Sequence, residues 1–86
     1  PVRRAGYDRF MRNVLIAAGN SADTALVPLV RDCLDHQVVV VRAMAVWALT
    51  QLMDQKAWAE LKQKHLPAEM DEDVCAEWND GQGFLQ

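Results

Sequence analysis

Residues 38–52 read VVVVRAMAVWALTQL, and the fold turns on whether they form a strand or a helix. Four consecutive valines favour a strand, because β-branched side chains suit a pleated surface. The residues that follow decide otherwise. Val41, Met44, Ala45, Ala48 and Leu52 recur at helical spacing, while Val40 and Trp47 widen the apolar face. A helix that is apolar nearly all round is one buried between neighbours. No other segment reads as a strand with which the valines could pair. The spacing therefore predicts a helix over 38–53.

The flanking segments follow the same period. In 7–18, Phe10, Val14 and Ala17 share one line and Met11, Leu15 and Ala18 the next, which makes one broad apolar helical face. Gly19 is the expected stop, since glycine readily takes the positive φ common at helix ends. Asn20 or Ser21 is the expected cap of the next helix. That helix covers 22–35, with Ala22, Ala25, Leu26, Leu29, Val30, Cys33 and Leu34 in register. Pro28 is tolerated only near a helix start, so the helix is expected to begin near Asp23 or Thr24, or to bend there. Residues 35–37 form a turn. Asp54 is the expected N-cap of a fourth helix that turns Ala57, Trp58, Leu61 and His65 or Leu66 inward and ends at Pro67. A fifth, 71–80, begins with acids, as the helix dipole prefers, and faces Val74, Cys75 and Trp78 inward. Residues 81–86 are expected to be a frayed tail.

Composition sets the limits. Eighty-six residues make one small domain, and 51% apolar residues supply a core. The net charge of −3 excludes a strongly basic nucleic-acid binder, yet residues 1–53 carry a net +2 and residues 54–86 a net −5. A basic end and an acidic end are expected. No apolar run reaches the roughly 18 residues of a membrane span, and no stretch reads as a secretory signal. Cys33 and Cys75 are far apart and form no Cys-x-x-Cys pair, so reduced, mostly buried thiols in a cytosolic protein are expected rather than a metal or redox site. Because a dense motif begins within a few residues of Pro1, the chain is expected to be a domain excised from a larger protein.

The segments also repeat. MRNVLIAAG at 11–19 lies over VRAMAVWAL at 41–49, thirty residues on, and DVCAEW at 73–78 is a weaker copy. One further amphipathic helix separates successive copies. The unit is a helix pair, and pairs that cannot bury their apolar faces alone stack into an α-solenoid. The expected fold is all-α, about five helices in a right-handed superhelical stack, with a half repeat at 1–19 and units at 22–53 and 54–80.

The Asp35 turn, the Val-Arg at 41–42 and the Ala and Leu beyond resemble the second-helix signature of HEAT repeats, specifically over 9–53 and loosely after that. Cys75 stands where the third copy should carry Arg. More narrowly, Arg12-Asn13 with Gly19-Asn20, and Val41-Arg42 with Trp47-Ala48-Leu49, resemble the C-terminal region of the epoxyqueuosine reductases. These are bacterial, cytoplasmic oxidoreductases of tRNA queuosine synthesis that carry 4Fe-4S clusters and cobalamin. About half the chain takes part in the match. The family's cluster-ligand cysteine runs and cobalamin site are absent here. The resemblance implies a HEAT-like accessory domain with no catalytic residues, cofactor, metal or small-molecule ligand of its own. It would assist tRNA binding or brace an upstream catalytic domain of the same chain. The alternative is a generic HEAT-repeat scaffold that binds protein.

Candidate residues divide accordingly. Arg3, Arg4 and Arg9, with Tyr7 among them, form the basic cluster that carries an aromatic. It reads as a tRNA contact through phosphates and stacking, or as a solvated helix start or a seam with another domain. Arg12 and Arg42 sit at equivalent repeat positions and read as internal bonds to a turn Asp or carbonyl. Asn13, Gly19, Asn20 and Trp47 are likewise structural repeat positions. His36 and His65 are isolated, and no His-Glu pair, calcium loop, P-loop or nucleophile triad is present. Trp47, Trp58 and Trp78 read as core.

Overall fold

The computed structural model describes residues 2–81, with side chains described from Gly6 to Asp80. It holds five α-helices: α1 (Val2–Asn20), α2 (Val27–Asp32), α3 (Val39–Leu52), α4 (Gln55–His65) and α5 (Glu72–Gly81). Single 3-10 turns, Thr24–Leu26, Cys33–Asp35 and Leu66–Ala68, join them. No strand occurs among the described residues, and none of their helices is long and apolar enough to cross a membrane. Val39, Val40 and Val41 enter α3, as their spacing predicts, whereas Val38 stays extended and stands just before the helix. The expected tail beyond Gly81 lies outside the described residues.

α3 packs against all four other helices, chiefly α1 and α5. Its sequence explains why. Ala43, Ala45 and Ala48 are buried and small, so neighbouring helices can approach closely, while Val41, Val46, Leu49 and Leu52 fill the space between them. Leu15 and Ala18 come to this core from α1, Val30 from α2, Trp58 and Leu61 from α4, and Val74 and Trp78 from α5. Trp58 and Trp78 meet at 5.4 Å between centroids with rings tilted by 46°, a geometry aromatic pairs favour. Trp47 packs against the edge of the core, half-buried.

Several local expectations are corrected. α1 runs on to Asn20, and the residue with positive φ is Ala22 (57°), two positions past the helix end. Gly19 therefore does not stop the helix; its role is close approach. A Cβ there would lie 2.5 Å from Cζ3 of Trp47. The next helical segment is capped by Asp23, whose Oδ1 accepts from the Ala25 N–H at 3.0 Å, not by Asn20 or Ser21. The Ser21 hydroxyl instead donates to the Ala18 carbonyl at 2.6 Å and closes the end of α1. Ala22, Ala25 and Leu29 are exposed, because the expected long second helix is a 3-10 turn followed by a short α2 with Pro28 in its first turn. Phe10 and Ala17 of α1 are also exposed, so its buried line is Leu15, Ala18 and Gly19.

The Gly19–Trp47 contact gives a first test. Ala is about 1 kcal/mol better than Gly inside an unhindered helix. Overpacking costs about 1–3 kcal/mol, so Gly19→Ala should destabilise by about 1 kcal/mol net, measured by urea denaturation. In a Trp47→Leu background the same change should be neutral or stabilising. An equal cost in both backgrounds would disprove the close-approach role.

Candidate functional site

The polar side chains with the most partners gather where α2 gives way to α3 and where α4 gives way to α5. Val38 precedes α3 and has no side chain able to cap it. His36 substitutes: its Nδ1 accepts from the Val38 N–H at 3.0 Å. Arg42, in the first turn of α3, then folds back over the same turn. Its Nη1 donates to the carbonyls of His36 (2.9 Å) and Gln37 (3.1 Å). Its Nε and Nη2 grip Glu69 side-on, at 3.0 Å to Oε1 and 3.1 Å to Oε2. The fork of a guanidinium suits such a bidentate pair. The two side chains are 18% and 11% exposed.

Glu69 sits just before α5. Burial alone would raise its carboxyl pKa. The Arg42 hydrogen bond, the Asp71 N–H, the Arg42 charge and the Met70 N–H together outweigh burial and hold it below its ordinary value. Two residues on, Asp71 caps α5 by accepting from the N–H groups of Asp73 (2.8 Å) and Val74 (3.3 Å).

The geometry at 36–42 returns at 69–75. Glu69 Oε2 accepts from the Asp71 N–H at 3.0 Å, as His36 accepts from Val38. The Cys75 thiol donates to the Glu69 carbonyl at 3.6 Å, as Arg42 donates to His36. Each clasp ties a residue in a helix's first turn to the carbonyl six residues before it.

A cleft of about 330 Å³ opens between the two clasps, lined by His36, Gln37, Arg42, His65, Glu69 and Met70, among others. His65 stacks on Trp78, with centroids 6.2 Å apart. Four of the five Arg42 N–H donors and both Glu69 oxygens are engaged in tying the two turns together. Burial, with the Asp32 carboxylate adding to it, pushes the Cys33 thiol up and makes it a poor nucleophile. Both cysteines are free and half-buried. Among the described residues no His, Cys, Asp and Glu are grouped so as to hold a metal.

The residues read as a basic end are distributed as follows. Arg3 and Arg4 fall in the first turn of α1, outside the described side chains. Tyr7 and Arg9 are exposed, and the Tyr7 ring lies over His36 with centroids 6.1 Å apart and planes 22° from parallel. Arg12 and Arg42 are not alike. Arg42 makes four hydrogen bonds, whereas Arg12 is exposed in mid-helix, with no hydrogen bond or ion pair among the described residues. A helix precedes Arg12 where a turn precedes Arg42, so Arg12 has no free carbonyls to fold back on. Asn13 and Asn20 are exposed and make no side-chain hydrogen bond among the described residues. Glu69 was not anticipated as Arg42's partner. No protein-family model matches the chain, and no curated protein or solved structure matches it significantly.

Proposed function

We propose that this chain is a non-catalytic accessory domain, a short right-handed stack of HEAT-like helix pairs in a cytoplasmic tRNA-modifying oxidoreductase of the epoxyqueuosine-reductase type. The observation that carries the stacked-pair reading is the clasp that recurs from 36–42 to 69–75, each time at the start of a helix that lies in the core. The placement of α3 between α1 and α5 agrees with helix pairs laid side by side. The link to the reductases rests on the sequence motifs around Arg12, Gly19, Arg42 and Trp47. In this reading the 4Fe-4S clusters and cobalamin belong to an upstream catalytic domain, and this domain braces it or helps to hold tRNA.

The tRNA contact falls to Arg3, Arg4, Tyr7 and Arg9. Each phosphate neutralised releases counterions, so binding should weaken steeply with salt. Net charge −3 works against it, and the chain alone should bind tRNA weakly and at low ionic strength only. Replacing Arg3, Arg4 and Arg9 together with alanine should remove that binding and flatten its salt dependence, measured by filter binding over a salt series, with an unchanged circular dichroism spectrum. Equal binding by the variant at every salt concentration would refute the contact.

A second reading, a HEAT-repeat scaffold that binds protein, is favoured by one observation: Tyr7 and Phe10 of α1 are large, apolar and exposed.

A further inference from the structure

We propose that His36 is a pH-sensitive catch at the start of α3: neutral, it holds the 36–42 turn closed, and protonated, it releases it. The proposal goes beyond both readings of function above and rests on neither. His36 Nδ1 accepts from the Val38 N–H at 3.0 Å. A ring nitrogen that accepts carries no proton, so this imidazole is neutral with its hydrogen on Nε2. A proton on Nδ1 would turn the acceptor into a donor and set N–H against N–H. The ring is half-buried and borders two open clefts, so solvent reaches it.

The chain makes the same bond elsewhere, from a side chain to the N–H two residues on. Ser21 Oγ accepts from Asp23 (3.1 Å), Asp23 Oδ1 from Ala25 (3.0 Å), Glu69 Oε2 from Asp71 (3.0 Å) and Asp71 Oδ1 from Asp73 (2.8 Å). Each of those acceptors is an oxygen, and hydroxyl and carboxyl oxygens keep a lone pair to offer whether or not a proton is bound. An imidazole nitrogen does not, and histidine is the side chain whose charge ordinarily changes between about pH 5 and about pH 8. At the entry to α3, on which the other four helices pack, the turn is therefore held by an acceptor that mild acid removes.

The groups around the ring give the charged form a place to rest. From α1, the Tyr7 ring stacks on the imidazole with centroids 6.1 Å apart, and an aromatic face attracts a cation. Asp8 and Asp35 line the cleft on that side, and Asp8 Oδ1 is buried with no hydrogen-bond partner among the described residues. The other cleft is lined by Arg42, His65 and Glu69, and there Arg42 and Glu69 neutralise each other. The imidazolium is thus held towards α1 while the backbone of α3 loses it. Arg42 follows, because its Nη1 reaches the carbonyls of His36 and Gln37 only while that turn is closed. A cation before the first turn of α3 also opposes the helix dipole.

The test is an NMR titration of the ¹⁵N-labelled chain from about pH 8 to about pH 5. At the alkaline end, long-range imidazole spectra should show His36 bare at Nδ1 and protonated at Nε2. As that ring takes up a proton, protection of the Val38 amide should fall about tenfold, the loss of one capping bond, after correction for the intrinsic pH dependence of exchange. His36→Asn should keep the alkaline protection and abolish the fall, because an asparagine oxygen makes the same bond and does not titrate. His65→Gln should leave the fall unchanged. A His36 ring protonated on Nδ1 at the alkaline end, or a Val38 amide indifferent to protonation of the ring, would overturn the proposal. So would a fall that survives in His36→Asn or vanishes in His65→Gln.

Discussion

Replacing Arg42 with alanine is expected to lower stability by about 3 kcal/mol, the low end of the cost of removing one member of a buried ion pair. The low end applies because the guanidinium is 18% exposed and solvent screens part of the interaction. The change strips a donor from two turn carbonyls and leaves the Glu69 carboxylate, 11% exposed, without its counter-ion. Arg42→Lys should recover less than half of the loss, since a single ammonium cannot span both carboxylate oxygens and both carbonyls. The effect should also depend on pH. The carboxyl of Glu69 is held below its ordinary value of 4.5 in the fold, so its contribution is complete above that pH and is lost as pH falls through the folded value. Urea denaturation of wild type and Arg42→Ala should therefore differ most near neutrality and converge in acid. A difference that is small at pH 7, or constant down to strong acid, would mean that the clasp does not hold the turns.

The second large effect is expected at Trp78, which is 1% exposed and lies between Trp58 and the His65 ring. Truncating a buried tryptophan to alanine costs about 3–5 kcal/mol. A domain of this size holds on the order of 5–10 kcal/mol in all. Among the described residues of α5, Val74 and Trp78 are the two that are fully buried. The loss should therefore fall first on α5 rather than on the whole molecule. Hydrogen exchange in Trp78→Ala should show the amides of α5 opening while those of α3 stay protected, and Trp78→Phe should keep α5 docked. Uniform loss of protection along the chain would show that α5 does not open as a unit.

Helix positions were legible because their signals are local. Asp54 caps α4 with a 2.8 Å bond to the Ala57 N–H, as its place before an amphipathic run implies. α3 begins at Val39 despite its valines because the period from Val41 to Leu52 outweighs β propensity over so short a stretch. Pro28 likewise placed the start of the second helical segment near Asp23. The choice of face on α1 was not legible, since Phe10–Val14–Ala17 and Met11–Leu15–Ala18 satisfy the helical period equally well. What separates them is Trp47, thirty residues away, which needs Gly19 beneath it. The partner of Arg42 was hidden for a similar reason. Glu69 is one acid among several before α5, and only the folded turn brings it within reach across 27 residues. Composition therefore located the clasp's cation and left its anion open.

The central place of α3 also separates the order in which the chain is made from the order in which it can assemble. Of the five helices α1 is made first, yet the helix on which it chiefly packs ends at Leu52. Until that residue is clear of the exit tunnel, the first helix has no principal partner and its apolar lines face water. The clasp is later still, because Arg42 must wait for Glu69. The five helices are thus committed to their fold only when α3, the one that every other helix packs on, has been made.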